Sequence, residues 1–104
     1  MRVELLYTDA DPVAMTARQR LVEVLLEDAY ETPVQMVVVN SIEDAEFLAF
    51  PGSPTIRIDG EDIDPEGVGA VGLGPRSYED QPIPSVELIR VAIDRARGWS
   101  HGRR

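Results

Sequence analysis

The chain has no cysteine in its 104 residues. Thiolate nucleophiles, dithiol exchange, cysteine-type zinc sites and iron–sulfur clusters all depend on that sulfur. Histidine is nearly as scarce. The chain has one, His101, which lies in a Gly/Arg-rich C-terminal tail. A Ser-His-Asp triad or a histidine metal site would require that tail to fold back onto the domain. We therefore expect no metal and no cofactor.

Long apolar runs are also missing. Residues 1–7 contain one arginine and an apolar stretch that is too short for a membrane span and lacks a small-residue cleavage site. A cytoplasmic protein is the default expectation.

Basic residues are few. The chain has 10 Lys and Arg against 19 Asp and Glu, and its formal net charge is −9. That charge repels phosphate backbones and anionic lipids, so we expect no nucleic-acid and no membrane partner and favour a basic protein surface.

The residues that are present have the composition of one globular domain. Hydrophobic residues make up 43% and charged residues 28% of the chain, which is ordinary for a soluble protein. A chain of this length is long enough to bury a modest core and too short to split into two stable domains. We assign residues 1–98 to a single domain and residues 99–104 to a disordered C-terminal tail.

Periodicity in the first half predicts a strand, a helix and a second strand. Residues 3–7 form a short apolar run, and Asp11 and Pro12 mark the start of a helix. An aspartate accepts free backbone N–H groups there, and proline suits the first helical position. The inward face of this helix is predicted to carry Ala14, Ala17, Leu21, Leu25 and Ala29. Residues 34–39 are nearly all β-branched, which predicts a strand buried on both faces.

The second half predicts a short helix, a hairpin, a long loop and a last helix. Ser41 with Asp44 resembles a capping box, and Asp59-Gly60 is a strong hairpin turn between residues 55–58 and 62–64. Residues 65–84 form the loop. The short helix should point Ile42, Ala45, Leu48 and Ala49 inward, and the last helix, from about Ser85, should point Val86, Ile89, Ile93 and Ala96 inward. The resulting order, β-α-β-α-β-β-α, predicts an α/β fold with a mixed four-stranded sheet flanked by helices.

Two stretches in the loop region match ligand-binding motifs, but the residues around them favour ordinary structure. Residues 67–72 match G-x-G-x-x-G, but they follow a predicted hairpin and do not open a helix, as a dinucleotide site requires. Residues 59–66 are rich in acids and imitate the front of a calcium loop. That loop would need a closing glutamate where Leu73 stands. We interpret the first as a flexible loop and the second as a solvated hairpin.

Residues 50–56, F-P-G-S-P-T-I, place a proline immediately before a predicted strand. Together with Tyr7, the Asp59-Gly60 turn and residues 72–78, this stretch resembles small bacterial thioredoxin-like proteins that carry a C-P-x-C site. The resemblance extends over about residues 3–97 and implies a thioredoxin-like fold with a cis Ser53–Pro54 bond. In this likeness the first cysteine is replaced by Asp11, the second by Ala14 and a late one by Pro75, while Pro12 matches the proline. The resemblance thus implies the scaffold without its redox chemistry.

The resemblance also predicts a candidate groove. We expect a non-redox binding or interaction module in which the backbone edge of residue 53 stays open to pair with an extended peptide. The residues that would form the groove are Asp9, Asp11, Pro12, Ala14, Ser53, Pro54, Arg76 and Tyr78. Each has a structural alternative, because Asp11 could serve only as a helix cap, Pro54 as a bend, and Arg76 and Tyr78 as loop anchors.

Two other functions stay open from the sequence. One is a cysteine-free enzyme in which Asp9 or Asp11 acts as acid or base while Arg76 and Tyr78 bind an anionic substrate. The other is a structural subunit, a homodimer in which the groove is covered. The chain is thus compatible with a protein or peptide partner or with a second copy of itself.

Overall fold

Strands and helices alternate through the first part of the chain, and a hairpin and a helix follow. The computed structural model describes residues 1–27 and 32–98, so that the predicted Ala29 and the tail at residues 99–104 lie outside the described residues. The elements, in chain order, are β1 (Val3–Tyr7), α1 (Ala14–Glu27), β2 (Val34–Val38), α2 (Ile42–Leu48), β3 (Thr55–Ile58), β4 (Glu61–Asp62), a single 3-10 turn (Pro65–Gly67) and α3 (Val86–Ala96).

The four strands form one mixed sheet in the order β2-β1-β3-β4. β1 runs parallel to β2, with Leu5 opposite Met36, and antiparallel to β3, with Leu5 opposite Ile56. The hairpin between β3 and β4 turns at Asp59-Gly60, where both residues have the positive φ angles that a two-residue turn requires. The predicted α/β class, mixed four-stranded sheet and element order are confirmed.

The larger core lies between the sheet and the helices α1 and α3. Val3, Leu5, Ile56 and Ile58 point to this side because alternate residues of a strand share a face. The inward positions predicted for α1 that lie in the described residues are all buried, and α3 contributes Ile89, Ala92 and Ile93. Ser85 caps α3, since its Oγ accepts a hydrogen bond from the Leu88 N–H.

A second and smaller core lies on the opposite face of the sheet, beneath α2. Its buried members are Leu6, Val39, Ala45 and Phe50, and the half-buried Leu73 of the long loop packs against them. Ser41 caps α2 by accepting the Asp44 N–H, as predicted. The loop therefore shares the covering of this face with a short helix.

Several predicted boundaries and orientations are wrong. α1 begins at Ala14, two residues later than Pro12, because residues 12 and 13 form a turn. β4 spans Glu61–Asp62, since the tight turn at Asp59-Gly60 pairs Ile58 directly with Glu61.

The environment of β2 also differs from the prediction. It ends at Val38 and lies at the edge of the sheet, where its residues are only partly buried or exposed. A β-branched run does not distinguish an edge strand from a central one. In the helices, Ile42 and Ala49 of the α2 region and Ala96 of α3 are exposed, because each helix packs only a narrow face against the sheet. Within residues 1–27 and 32–98, every helix is too short or too polar to traverse a lipid bilayer.

Candidate functional site

A carboxylate and a serine hydroxyl join the turn before α1 to the segment before β3. The Ser53 hydroxyl donates to Asp11 Oδ2 over 2.5 Å and accepts the Thr8 N–H at 3.1 Å. The other carboxylate oxygen of Asp11, Oδ1, accepts the Val13 N–H at 2.9 Å. Asp11 therefore holds the turn immediately before the helix, because Val13 precedes the first helical residue, Ala14, and it also reaches across to the neighbouring segment.

The segment leading into β3 is held from several sides. The Ser53–Pro54 bond is cis, as the resemblance implied. The buried carbonyl of Pro54 accepts the Tyr78 hydroxyl at 2.6 Å, and the Thr55 hydroxyl donates to the Gly52 carbonyl at 2.7 Å. Gly52 has a φ of 123°, and a Cβ there would lie 3.0 Å from the Gly74 oxygen. Glycine is required at residue 52 because the long loop passes so close to it.

The backbone edge of Ser53 is occupied by the chain's own loop. The Ser53 N–H donates to the Gly74 carbonyl at 3.0 Å, and the Ser53 carbonyl accepts the Arg76 N–H at 2.9 Å. These bonds form a parallel bridge between Ser53 and Pro75. The expectation of an open edge at residue 53 is therefore wrong, because the loop supplies the strand that a peptide would have added.

An open cavity of about 250 Å³ remains where the loop, the turn before α1 and Ser53 meet. Among the described residues that line it, Asp11 is the only ionisable one, and four of the others are apolar. The lining consists of Thr8, Ala10, Asp11, Pro12, Ser53, Leu73, Gly74 and Pro75. The cavity thus combines a mostly apolar wall with one fixed carboxylate.

Arg76 is buried and faces the interior. Its guanidinium makes two hydrogen bonds to the Asp62 carboxylate, at 2.6 and 2.8 Å, and two more to the Thr55 hydroxyl and the Asp64 carbonyl, both at 3.1 Å. It also lies 4.5 Å from the centre of the Tyr78 ring. These contacts anchor the loop to β3 and β4, so Arg76 does not line the cavity.

Tyr78 lies deeper still and belongs to the larger core. Burial raises the pKa of its hydroxyl well above the ordinary value, although the charge of Arg76 acts in the opposite direction. For Arg76 burial lowers the pKa, but the hydrogen bond to Asp62 and the nearby negative charges leave that pKa raised overall. Near neutral pH the guanidinium is therefore charged and the phenol is protonated, and both fill structural roles.

The remaining predicted residues divide between surface and core. Asp9 is exposed and exchanges hydrogen bonds with Asn40, whose side-chain nitrogen donates to Asp9 Oδ2 at 2.9 Å. Ala14 and Pro54 are buried and do not line the cavity. The structure thus brings Asp11, Pro12 and Ser53 together in one wall.

No family model matches this chain. Neither a curated protein nor a solved structure matches it. The geometry of the cavity is therefore the basis for inferring a function. In the described part of the chain, no group of three or more histidine or acidic side chains is arranged to hold a metal ion.

Sequence reasoning missed five of the eight lining residues of the cavity and the partner of Arg76. The missed lining residues carry no ionisable group, because backbone and small or apolar side chains form that wall; they are Thr8, Ala10, Leu73, Gly74 and Pro75. Asp62 belongs to an acidic run and resembles its neighbours in the sequence. Only the hairpin geometry, which places Asp62 opposite Arg57 and next to the loop, distinguishes it.

Proposed function

We propose that this protein is a thioredoxin-like binding module without redox chemistry, whose cavity beside Asp11 receives a basic side chain of a protein or peptide partner. The observation that carries the proposal is the contact of Asp11 with Ser53 in the wall of that cavity. It lies where the resemblance places a reactive cysteine against the proline segment. The sheet order β2-β1-β3-β4 and the proline before β3 support the thioredoxin-like assignment.

The site has a carboxylate where thiol chemistry would need sulfur. A carboxylate cannot attack a disulfide, and the chain has no cysteine to resolve one. Asp11 is held by the Ser53 hydroxyl and the Val13 N–H, so the orientation of its carboxylate group is fixed. An ionised carboxylate has about four acceptor positions, which leaves room for a further donor.

The chemistry of the wall favours a lysine or arginine side chain. The methylene stem of such a residue would pack against Pro12, Leu73 and Pro75 while its charged end reaches Asp11. The formal net charge of −9 attracts a basic partner and repels an acidic one. The alternative of an enzyme with an Arg76 substrate clamp receives no support from the geometry, because that guanidinium is bound to Asp62.

Binding can be tested with three capped peptides that differ at one central position, which is lysine, norleucine or glutamate, in the same apolar surroundings. We expect the lysine peptide to shift the amide resonances of Thr8, Ala10 and Leu73, and the glutamate peptide to leave them unchanged. Asp11→Asn should weaken the lysine peptide about fivefold, in keeping with one partly exposed ion pair.

Asp44→Asn is the matched control, because it removes the same charge from the exposed first turn of α2. It should change the affinity for the lysine peptide by less than about twofold, because it alters the net charge of the protein and not the cavity. If none of the three peptides perturbs the cavity residues, the proposed function is wrong. If norleucine binds as well as lysine, the cavity binds apolar groups and the role assigned to Asp11 is wrong.

A further inference from the structure

The outer edge of β2 has no strand beside it in the described residues. β2 pairs with β1 alone, and the Val39 N–H donates to the Tyr7 carbonyl at 2.8 Å. In a parallel pair the N–H and C=O of one residue point to the same side, and successive residues alternate. The backbone groups of Val34, Met36 and Val38 therefore point away from the sheet.

This edge lacks the features by which proteins usually block an exposed strand. Charged side chains, proline and bulges prevent two edges from pairing. Residues 34–38 contain none of the charges or prolines, and residues 32–42 as a whole carry no ionisable side chain. In a chain with 28% charged residues, this is an unusually neutral stretch of surface.

Apolar side chains of α1 continue the neutral surface on one face of the sheet. Val22 and Leu26 line a depression together with Pro33, Val34 and the exposed Arg18, so this side of α1 faces the β2 edge. Met15 lies three turns before Leu26 on the same side of the helix. The side chains of Met15, Leu26 and Val38 are 55%, 63% and 43% exposed. The edge and the flank of α1 form one mostly apolar surface, which carries one cation, Arg18, on the flank and which we call the β2 surface.

We propose that the β2 surface binds a second copy of this chain, with the two β2 strands antiparallel across a twofold axis. Met36 of one copy faces Met36 of the other, and Val34 faces Val38. In this register all three outward residues exchange backbone hydrogen bonds with the second copy, about six bonds in total. The two sheets become one continuous sheet, and the apolar flanks of the two α1 helices approach each other above it.

Charge is the reason for choosing a second copy over another partner. Two copies with a net charge of −9 repel each other across acidic surface, and a neutral stretch is where they approach at the lowest cost. A basic partner would find no carboxylate to pair with along residues 32–42. At a twofold interface both copies contribute the same patch. Every residue pair between the two β2 strands would therefore join two uncharged residues.

The test is the molecular mass in solution, measured by light scattering and sedimentation over a wide range of protein concentration. We expect a monomer–dimer equilibrium that shifts toward dimer at high salt, because salt screens the repulsion between the two acidic copies. Val38→Lys places two like charges within the interface and should raise the dissociation constant by more than about tenfold.

Val91→Lys is the matched control, since Val91 is 49% exposed on α3, which packs over β3 and not at the β2 edge of the sheet. It changes the net charge equally and should leave the dissociation constant within about twofold. Gln35→Lys, also exposed on β2, repeats the test if Val38→Lys does not fold by circular dichroism. A monomer at all concentrations and both salt conditions overturns the proposal, as does equal dimerisation of the Val38 and Val91 variants.

Discussion

Asp11 and Asp62 each hold a neighbouring segment against β3, but their surroundings differ in charge and in exposure. Asp62 is 10% exposed and pairs through two hydrogen bonds with Arg76, which anchors the long loop. Asp11 is half-buried, accepts hydrogen bonds from a neutral hydroxyl and an amide, and lines an open cavity. The first carboxylate is neutralised inside the protein and stabilises it. The second accepts hydrogen bonds from neutral groups and forms no ion pair with any residue that the structure describes.

The largest effect should follow from breaking the buried pair. Arg76→Met keeps an aliphatic stem over the Tyr78 ring but leaves the Asp62 carboxylate buried without its cation. We expect the free energy of unfolding, measured in urea at neutral pH, to fall by about 3 kcal/mol. The loop should also become more sensitive to proteases than in the unaltered protein, because this contact anchors it.

Arg90→Met is the control for that experiment. Arg90 pairs with Glu27 and Glu87, and its hydrogen bonds to Glu27 join α3 to α1, but all three side chains remain well exposed to water. Water and salt screen such a pair, so its loss should change stability far less than the loss of Arg76. Equal losses in the two variants would show that Asp62 is not a buried structural anchor.

An intermediate effect is expected at Tyr78. Its hydroxyl donates to the buried Pro54 carbonyl, and Tyr78→Phe leaves that carbonyl without its partner. We expect a loss of about 1–2 kcal/mol in the free energy of unfolding. Tyr7→Phe serves as the control, because the Tyr7 hydroxyl has no hydrogen bond to any residue that the structure describes. A loss as large in Tyr7→Phe would contradict this role for the Tyr78 hydroxyl.

The same tyrosine makes stability depend on alkaline pH. Burial raises the pKa of Tyr78 above its ordinary value of 10.0, so the folded state holds this proton more tightly than the unfolded state. The resulting stabilisation is complete below pH 10 and is lost as the pH rises toward the folded value. An absorbance titration of tyrosinate should show one late ionisation that coincides with unfolding. A tyrosine that ionises late without unfolding, or one that persists in Tyr78→Phe, would contradict the assignment.

The smallest effect is expected at the cavity. A double-mutant cycle of Asp11→Ala and Ser53→Ala should give a coupling energy of about 1 kcal/mol, because their hydrogen bond is partly buried. The exposed pair of Asp9 and Asn40 offers a matched cycle and should give a smaller value. A coupling near zero for Asp11 and Ser53 would mean that the two are neighbours without stabilising each other.

Prediction from the sequence succeeded best where a local pattern has one physical cause. The cap at Ser41, the turn at Asp59-Gly60 and the inward stripe of α1 each follow from hydrogen-bonding geometry or helical period. It succeeded less well for β2, because an apolar strand has the same composition at an edge as in the middle of a sheet. The resemblance identified the proline segment but did not indicate that the loop would cover Ser53.

The amino-acid sequence by itself determined the element order, the absence of cysteine and the acidic character of the chain, since these depend on composition and on neighbours along the backbone. The tertiary structure alone decided which of two aspartates is neutralised. Arg76 is 14 residues from Asp62 in the chain, and Ser53 is 42 residues from Asp11. Such contacts depend on how the sheet and the loop pack, because charge and hydrogen bonding act over distances in space and not along the sequence.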